Sequence, residues 1–116
     1  MKAEKKYKKS KEEENLQIQI CDYLSQHGIF YFSIPNEHGE KVGRLKKMGL
    51  CGGMPDLGIL HNKKIYFIEV KSKEGILKKN QKLIQPKIAE LGFDVITVYS
   101  FSEAVLFLHG KEIIYV

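Results

Sequence analysis

The fold is decided by two short stretches of sequence, Gly53-Met54-Pro55-Asp56-Leu57 and Phe67-Ile68-Glu69-Val70-Lys71. The second stretch closes a run of β-branched and aromatic residues, 65–71, which predicts a β-strand. Side chains alternate between the two faces of a strand, so Glu69 and Lys71 are expected to point the same way. The sequence therefore predicts a carboxylate and an ammonium side by side at the end of a strand.

A partner strand is predicted immediately before this one. Asp56 opens an apolar run, residues 56–61, and the tight connection 62–64 favours an antiparallel hairpin. In such a hairpin Asp56 and Glu69 converge at one end, with Lys71 alongside.

The later strand is apolar on both of its faces apart from these charges. One face carries only apolar residues, and the face of Glu69 and Lys71 continues with Phe67 and Ile65. The alternative is a solvated strand face with Asp56 as a turn residue, but a surface strand is not normally apolar on both sides. We therefore expect the charges to be buried, which is costly unless they serve one another or a cation.

Two buried carboxylates beside an ammonium fit a metal-dependent phosphodiesterase. Mg²⁺ is usually held by one or two carboxylates plus substrate phosphate, so Asp56 and Glu69 are the predicted ligands, with Mn²⁺ as a substitute. Lys71 can orient a metal-activated water and stabilise the negative charge added in the transition state. A third acidic ligand is predicted at Glu13, on the apolar face of the first helix; Glu14, about 100° around that helix, is the alternative.

Length and composition indicate one soluble globular domain. The chain has 116 residues, 43% hydrophobic and 28% charged, with a net charge of +5 and a pI of about 9.1, which favours a polyanionic partner. A lysine-rich N-terminal arm, residues 1–11, is predicted to precede a single domain, residues 12–116. Two cysteines without metal-ligand spacing indicate a reduced, cytoplasmic setting. No signal peptide and no membrane span are expected.

Periodicity and turn residues predict an α/β fold with a mixed central sheet flanked by helices. Helical crossovers give parallel strand pairs, whereas the hairpin is antiparallel. The predicted order is a helix over 12–27, a strand over 29–34, a short basic helix over 42–48 inside a long connector, the hairpin, a helix over 78–91, a strand over 94–99, a helix through 109 capped by Ser100 or Ser102, and a strand over 112–116.

The runs GMPDL, FIEVKSKEGILKKNQKLI and LGFDVITVYS, taken in this order, resemble the VRR-NUC (virus-type replication-repair nuclease) domain of the PD-(D/E)xK nuclease superfamily. The resemblance extends from about residue 13 to 100 and implies a restriction-endonuclease-like fold. It implies that Asp56 and Glu69 bind the metal together with the Val70 carbonyl, that Lys71 is the catalytic lysine, and that Gln81 lies at the active centre. It also implies a homodimeric endonuclease that resolves branched DNA such as Holliday junctions, a two-fold protein on a nearly two-fold substrate.

In one place the chain departs from the family pattern. Members of the family often have a small hydroxyl residue that caps the helix just before its glutamine, whereas this chain has Lys78-Lys79-Asn80. The departure concerns the local start of that helix rather than the chemistry of the site.

Basic residues on both sides of these motifs are predicted to bind DNA phosphates, with salt-sensitive affinity. They are Lys41, Arg44, Lys46 and Lys47 before the motifs and Lys73, Lys78 and Lys79 after them. Asn36, which follows Pro35 at a predicted strand end, is a further candidate, although that position favours a turn role. A non-catalytic nucleic-acid-binding module is the rival function, and a nuclease acting on flaps, duplex ends or RNA is a third.

Overall fold

The protein folds as one mixed four-stranded sheet flanked by helices, as the sequence predicts. The computed structural model describes residues 9–35 and 42–115. In these ranges the strands are β1 (Phe30–Ser33), β2 (Leu57–His61), β3 (Lys64–Val70) and β4 (Asp94–Val98), and the helices are α1 (Lys11–Gln26), α2 (Val42–Lys47), α3 (Lys79–Glu90) and α4 (Phe101–Gly110).

The strands are arranged in the order β1-β2-β3-β4. The β1–β2 and β2–β3 pairs are antiparallel, with Leu57 opposite Ile68 in the second pair. The β3–β4 pair is parallel because α3 crosses over between the two strands. The predicted hairpin and the predicted mixture of parallel and antiparallel pairs are both confirmed.

A tight turn joins β2 to β3 at the end away from Asp56. Asn62 and Lys63 both have positive φ angles, 50° and 66°. A two-residue turn of this handedness matches the twist of the flanking strands. The turn thereby holds the register that puts Glu69 near the start of β2.

Helix α1 packs one face on the sheet. Its buried residues recur at helical spacing: Glu13, Leu16, Ile20 and Leu24. The Ser10 hydroxyl caps the helix by accepting a hydrogen bond from the Glu13 N–H at 3.1 Å. Helix α1 therefore begins at Lys11, one residue before the predicted start. Residues 1–8 of the predicted arm lie outside the described residues, so the division at residue 11 stays a prediction.

Helix α3 turns a polar stripe toward the sheet. Its buried residues are Gln81, Gln85 and Ile88, whereas Leu83 is 61% exposed and Leu91 is 75% exposed. Leucines are the residues that helical periodicity normally assigns to the core. The two glutamines take that position here because a charged group lies beneath them.

The predicted last strand over 112–116 is wrong as far as the structure describes it. Glu112 has a φ of 60°, which breaks an extended chain, and Val116 lies outside the described residues. The Ile113 and Ile114 N–H groups both donate to the Leu108 carbonyl and close the end of α4. These isoleucines are nearly fully buried, so their β-branched pattern reflects core packing rather than a strand.

At the other end of α4, the predicted Ser100 cap is confirmed by a 3.2 Å bond from the Glu103 N–H.

Among the described residues, no helix has the length and apolar character needed to cross a membrane. Cys21 and Cys51 are not joined in a disulfide.

Candidate active site

The side chain of Asp56 is bound to the end of the neighbouring strand. Asp56 directly precedes β2, and its Oδ2 accepts a 2.7 Å hydrogen bond from the Val70 N–H. Glu69 and Lys71, on either side of Val70, are 1% and 2% exposed, and Asp56 is 6% exposed. The three charged side chains predicted to meet at this end of the hairpin are therefore all buried there.

Glu69 is surrounded by hydrogen-bond donors on both carboxylate oxygens. Its Oε2 accepts from Gln81 Nε2 at 3.0 Å and lies 3.4 Å from Lys71 Nζ. Its Oε1 accepts from Gln85 Nε2 at 3.0 Å. We call Asp56, Glu69, Lys71, Gln81 and Gln85 together the acidic centre.

Burial, as the larger cause, and the nearby Asp56 carboxylate together raise the pKa of Glu69 from 4.5 to about 7. The Lys71 ammonium and the Gln85 amide act in the opposite direction, because they favour the charged form. The Lys71 ammonium and the Gln85 amide lower the pKa of Glu69 by less than burial and the Asp56 carboxylate raise it. Additional positive charge would be favourable at this position.

The Gln81 amide has a fixed orientation. Its Oε1 accepts a 2.7 Å hydrogen bond from the Lys78 N–H, so its Nε2 is directed at Glu69. This bond satisfies one of the free N–H groups at the start of α3. The glutamine side chain thus helps to cap a helix that lacks the small hydroxyl residue common in the resembling family.

The loop before Asp56 packs directly on the start of α3. Gly53 has a φ of 90°, and a Cβ atom at this position would overlap the Asn80 carbonyl. Only glycine combines this backbone angle with such a close approach. The contact holds the segment carrying Asp56 against the helix that carries Gln81.

Two acidic residues from the first turn of α1 bind the loop that follows Lys71. Glu13 Oε2 accepts from the Ser72 N–H, and Glu12 Oε2 accepts from the Lys73 N–H, both at 3.0 Å. Glu13 is buried, whereas Glu14 is exposed and pairs with Lys11. Of the two alternatives for a third acidic ligand, Glu13 is the one beside the loop after β3.

The described residues include no group of three or more His, Cys, Asp or Glu side chains arranged to hold a metal ion. The structure thus brings Asp56 and Glu69 together without adding Glu13 to the same cluster. Because Mg²⁺ is commonly held by one or two carboxylates plus phosphate oxygens, the Asp56–Glu69 pair fits this ion in its donor chemistry. Roles for Glu13 and for the Val70 carbonyl as ligands stay predictions.

Sequence reasoning missed two residues that touch the acidic centre. Gln85 lies four residues after Gln81, a spacing that puts both on one helix face, and this signal could have found it. Lys9 forms a 2.8 Å ion pair with Asp56 Oδ1. Nothing in the sequence separates Lys9 from the other lysines of the N-terminal arm.

Most of the basic residues predicted to bind DNA are exposed. Arg44, Lys46 and Lys47 lie on α2, and Lys73, Lys78 and Lys79 lie between β3 and the first turn of α3. Asn36 and Lys41 lie outside the described residues.

Comparisons with known proteins show which family and fold the chain resembles. The family model described as the VRR-NUC domain matches residues 2–102. A solved structure described as a VRR_NUC domain superposes with a TM-score of 0.64 at 21% identity, covering 86% of this chain and 98% of the other. No curated protein matches the chain.

Proposed function

Because the chain belongs to the VRR-NUC family of nuclease-type domains, we propose that it is a Mg²⁺-dependent endonuclease that cuts branched DNA as a homodimer. One observation carries the catalytic part of this proposal. Asp56, Glu69 and Lys71 are buried together at one end of the sheet, with Lys71 Nζ 3.4 Å from Glu69 Oε2. Burying two carboxylates side by side costs free energy unless a cation binds between them.

In this proposal Asp56 and Glu69 hold Mg²⁺, with Mn²⁺ as a substitute, and Glu13 and the Val70 carbonyl are further candidates. When bound, the ion lowers the pKa of water and offsets charge on the attacked phosphate. Gln81 and Gln85 hold the Glu69 carboxylate in one orientation. The Lys71 ammonium, already fixed in the acidic centre, stabilises the negative charge that develops on the phosphate oxygens in the transition state.

Exposed basic residues support DNA as the bound polymer. Arg44, Lys46 and Lys47 lie together on α2, and Lys73 follows the acidic centre. Neutralising phosphates with such residues gives affinity that does not depend on sequence, which suits an enzyme that recognises DNA structure. A symmetric dimer suits a four-way junction because both have two-fold symmetry.

The proposal is tested with purified protein and a synthetic four-way junction. We expect cleavage with Mg²⁺ that chelator abolishes, and faster cleavage of the junction than of a flap, a linear duplex, a single strand or an RNA duplex at the same salt concentration. Asp56→Asn removes the ligand charge at nearly constant volume and is expected to abolish cleavage. Cleavage that survives this substitution, or that continues in chelator, contradicts the proposed catalytic site.

The same panel separates the rival functions. Salt-dependent binding without cleavage under any divalent metal indicates a nucleic-acid-binding module, and equal rates on junction and duplex remove the branched-DNA specificity. Light scattering after size-exclusion chromatography tests the dimer. A strict monomer on and off the junction contradicts paired cutting.

A further inference from the structure

Lys9, the first residue that the structure describes, contacts Asp56 of the acidic centre. Its Nζ lies 2.8 Å from Asp56 Oδ1, and its side chain is 23% exposed. The other Asp56 oxygen, Oδ2, already accepts the Val70 N–H. The ammonium of Lys9 is therefore in contact with the oxygen of Asp56 that the backbone leaves open.

A divalent cation bonded to Asp56 Oδ1 would lie close to this ammonium. Two like charges at one carboxylate oxygen repel, and a site that is nearly buried screens that repulsion poorly. Lys9 and a metal ion are thus competitors for Asp56, rather than partners.

The structure also offers Lys9 a second position. Lys9 lines a cavity of about 380 Å³ beside α1, together with Glu14, Gln17, Ile18, Cys21 and Asp22. Within the part of the chain that the structure describes, Gln17 Oε1 is a buried acceptor without a hydrogen-bond partner. Asp22 adds negative charge to the same cavity, and Glu14, paired with Lys11, also lines it, so an ammonium that leaves Asp56 meets a favourable field there.

We propose that Lys9 is a displaceable internal cation, which neutralises Asp56 in the metal-free protein and moves toward Gln17 when a divalent metal binds. The inference rests on the proposed function, because it takes Asp56 to be a metal ligand. It makes Lys9 a regulator of metal binding. Metal affinity is then lower than the two acids alone would give.

The test is a Mn²⁺ titration without DNA, with free Mn²⁺ counted by electron paramagnetic resonance at fixed ionic strength. Lys9→Met is expected to tighten Mn²⁺ binding about tenfold, since it removes a charge in contact with a nearly buried carboxylate. Lys111→Met is the matched control: it removes the same charge from an exposed ion pair with Asp94, and neither residue lines that cavity. Its expected effect is at most about twofold.

Thermal unfolding gives a second readout that distinguishes a displaceable cation from a structural ion pair. In chelator, Lys9→Met is expected to lower Tm, because Asp56 loses its cation. In saturating Mn²⁺ the loss is expected to disappear. A structural ion pair instead predicts the same loss of Tm in both conditions.

A double-mutant cycle tests the second position of the ammonium. Gln17→Glu places a carboxylate where Lys9 is expected to move, and should tighten Mn²⁺ binding about threefold in the natural background. In the Lys9→Met background the same change should have no such effect. An equal effect in both backgrounds contradicts movement toward Gln17.

Two outcomes distinguish the role of Lys9 from the proposed nuclease function. Equal Mn²⁺ affinities for Lys9→Met and Lys111→Met overturn the role of Lys9 and do not contradict the metal site. Absence of any Mn²⁺ binding that depends on Asp56 overturns both the role of Lys9 and the proposed nuclease chemistry.

Discussion

The acidic centre and the turn at Asn62 and Lys63 lie at opposite ends of the β2–β3 hairpin, and each is close to an ion pair. At the acidic centre, Lys71 Nζ is 3.4 Å from Glu69 Oε2 with side chains 3% and 1% exposed. Near the turn, Lys111 Nζ is 3.1 Å from Asp94 Oδ1 with side chains 41% and 43% exposed. The distances are similar, so burial is what separates the two pairs.

Burial changes what an ion pair does. The exposed pair stays solvated on both sides and contributes little to stability. The buried pair has lost its water, and its cost is offset only by specific donors, which here are the amides of Gln81 and Gln85. The surroundings of Glu69 are thus suited to binding a cation, while the turn end serves the fold.

The largest expected contrast is in catalysis. Lys71→Met is expected to reduce cleavage of a branched DNA substrate roughly 10²–10³-fold, because the positive charge directed at the transition state is lost. Lys111→Met removes the same charge from the exposed pair and is expected to leave the rate within about twofold. Single-turnover rates at saturating protein measure both, and similar rates for the two variants would remove the functional distinction between the ends.

The second contrast is in how the stability of the metal-free protein depends on pH. The pKa of Glu69 is about 7 when folded, against 4.5 ordinarily, so the folded state binds the proton more tightly. Tighter proton binding by folded Glu69 therefore contributes about 3 kcal/mol to the free energy of unfolding. This contribution is fully present below pH 4.5 and is lost as the pH rises through 7.

Urea unfolding in chelator between pH 5 and 8 measures this loss. Glu69→Gln is expected to flatten the dependence, because the amide does not titrate. Mg²⁺ added at pH 8 is expected to restore much of the lost stability, since it binds only the folded state. A flat profile for the natural protein would show that Glu69 is not perturbed.

The third contrast compares two glycines with similar backbone angles. Gly53 and Gly92 have φ of 90° and 96°, but only a Cβ at Gly53 meets neighbouring atoms, those of Asn80 and Gln81. Both alanine variants suffer the strain of positive φ, so Gly53→Ala is expected to cost about 2 kcal/mol more than Gly92→Ala, which lies near the turn end. Equal losses of unfolding free energy would mean that the loop can move away from α3 without cost.

The smallest contrast concerns the positioning of Glu69. Gln85→Leu removes the donor to Oε1 and is expected to weaken Mn²⁺ binding about tenfold, because residues that orient a ligand carboxylate affect affinity on this scale. Gln26→Leu, an exposed amide at the end of α1, is the control and should leave affinity unchanged. Unchanged affinity in Gln85→Leu would show that Gln81 and Lys71 suffice to orient Glu69.

Much of the fold could be predicted from local patterns. The alternation in β3, the tight turn before it and the helical spacing in α1 are each contained within a few residues, and each was confirmed. The prediction of a last strand over 112–116 was wrong. Ile113 and Ile114 have the composition of a strand, but they are buried at the end of α4. Apolar composition predicts that a residue is buried, but it does not predict which element the residue packs against.

The sequence by itself determined the hairpin, the convergence of Asp56, Glu69 and Lys71 at its end, and a basic surface, because strand alternation and turn chemistry act between near neighbours. Only the tertiary structure decided which groups, besides Lys71 and Gln81, surround the two acids. Gln85 reaches Glu69, Glu13 binds the Ser72 N–H and Lys9 reaches Asp56 across 47 positions of sequence. Such contacts depend on how α1 and α3 pack on the sheet, and packing is a property of the whole chain.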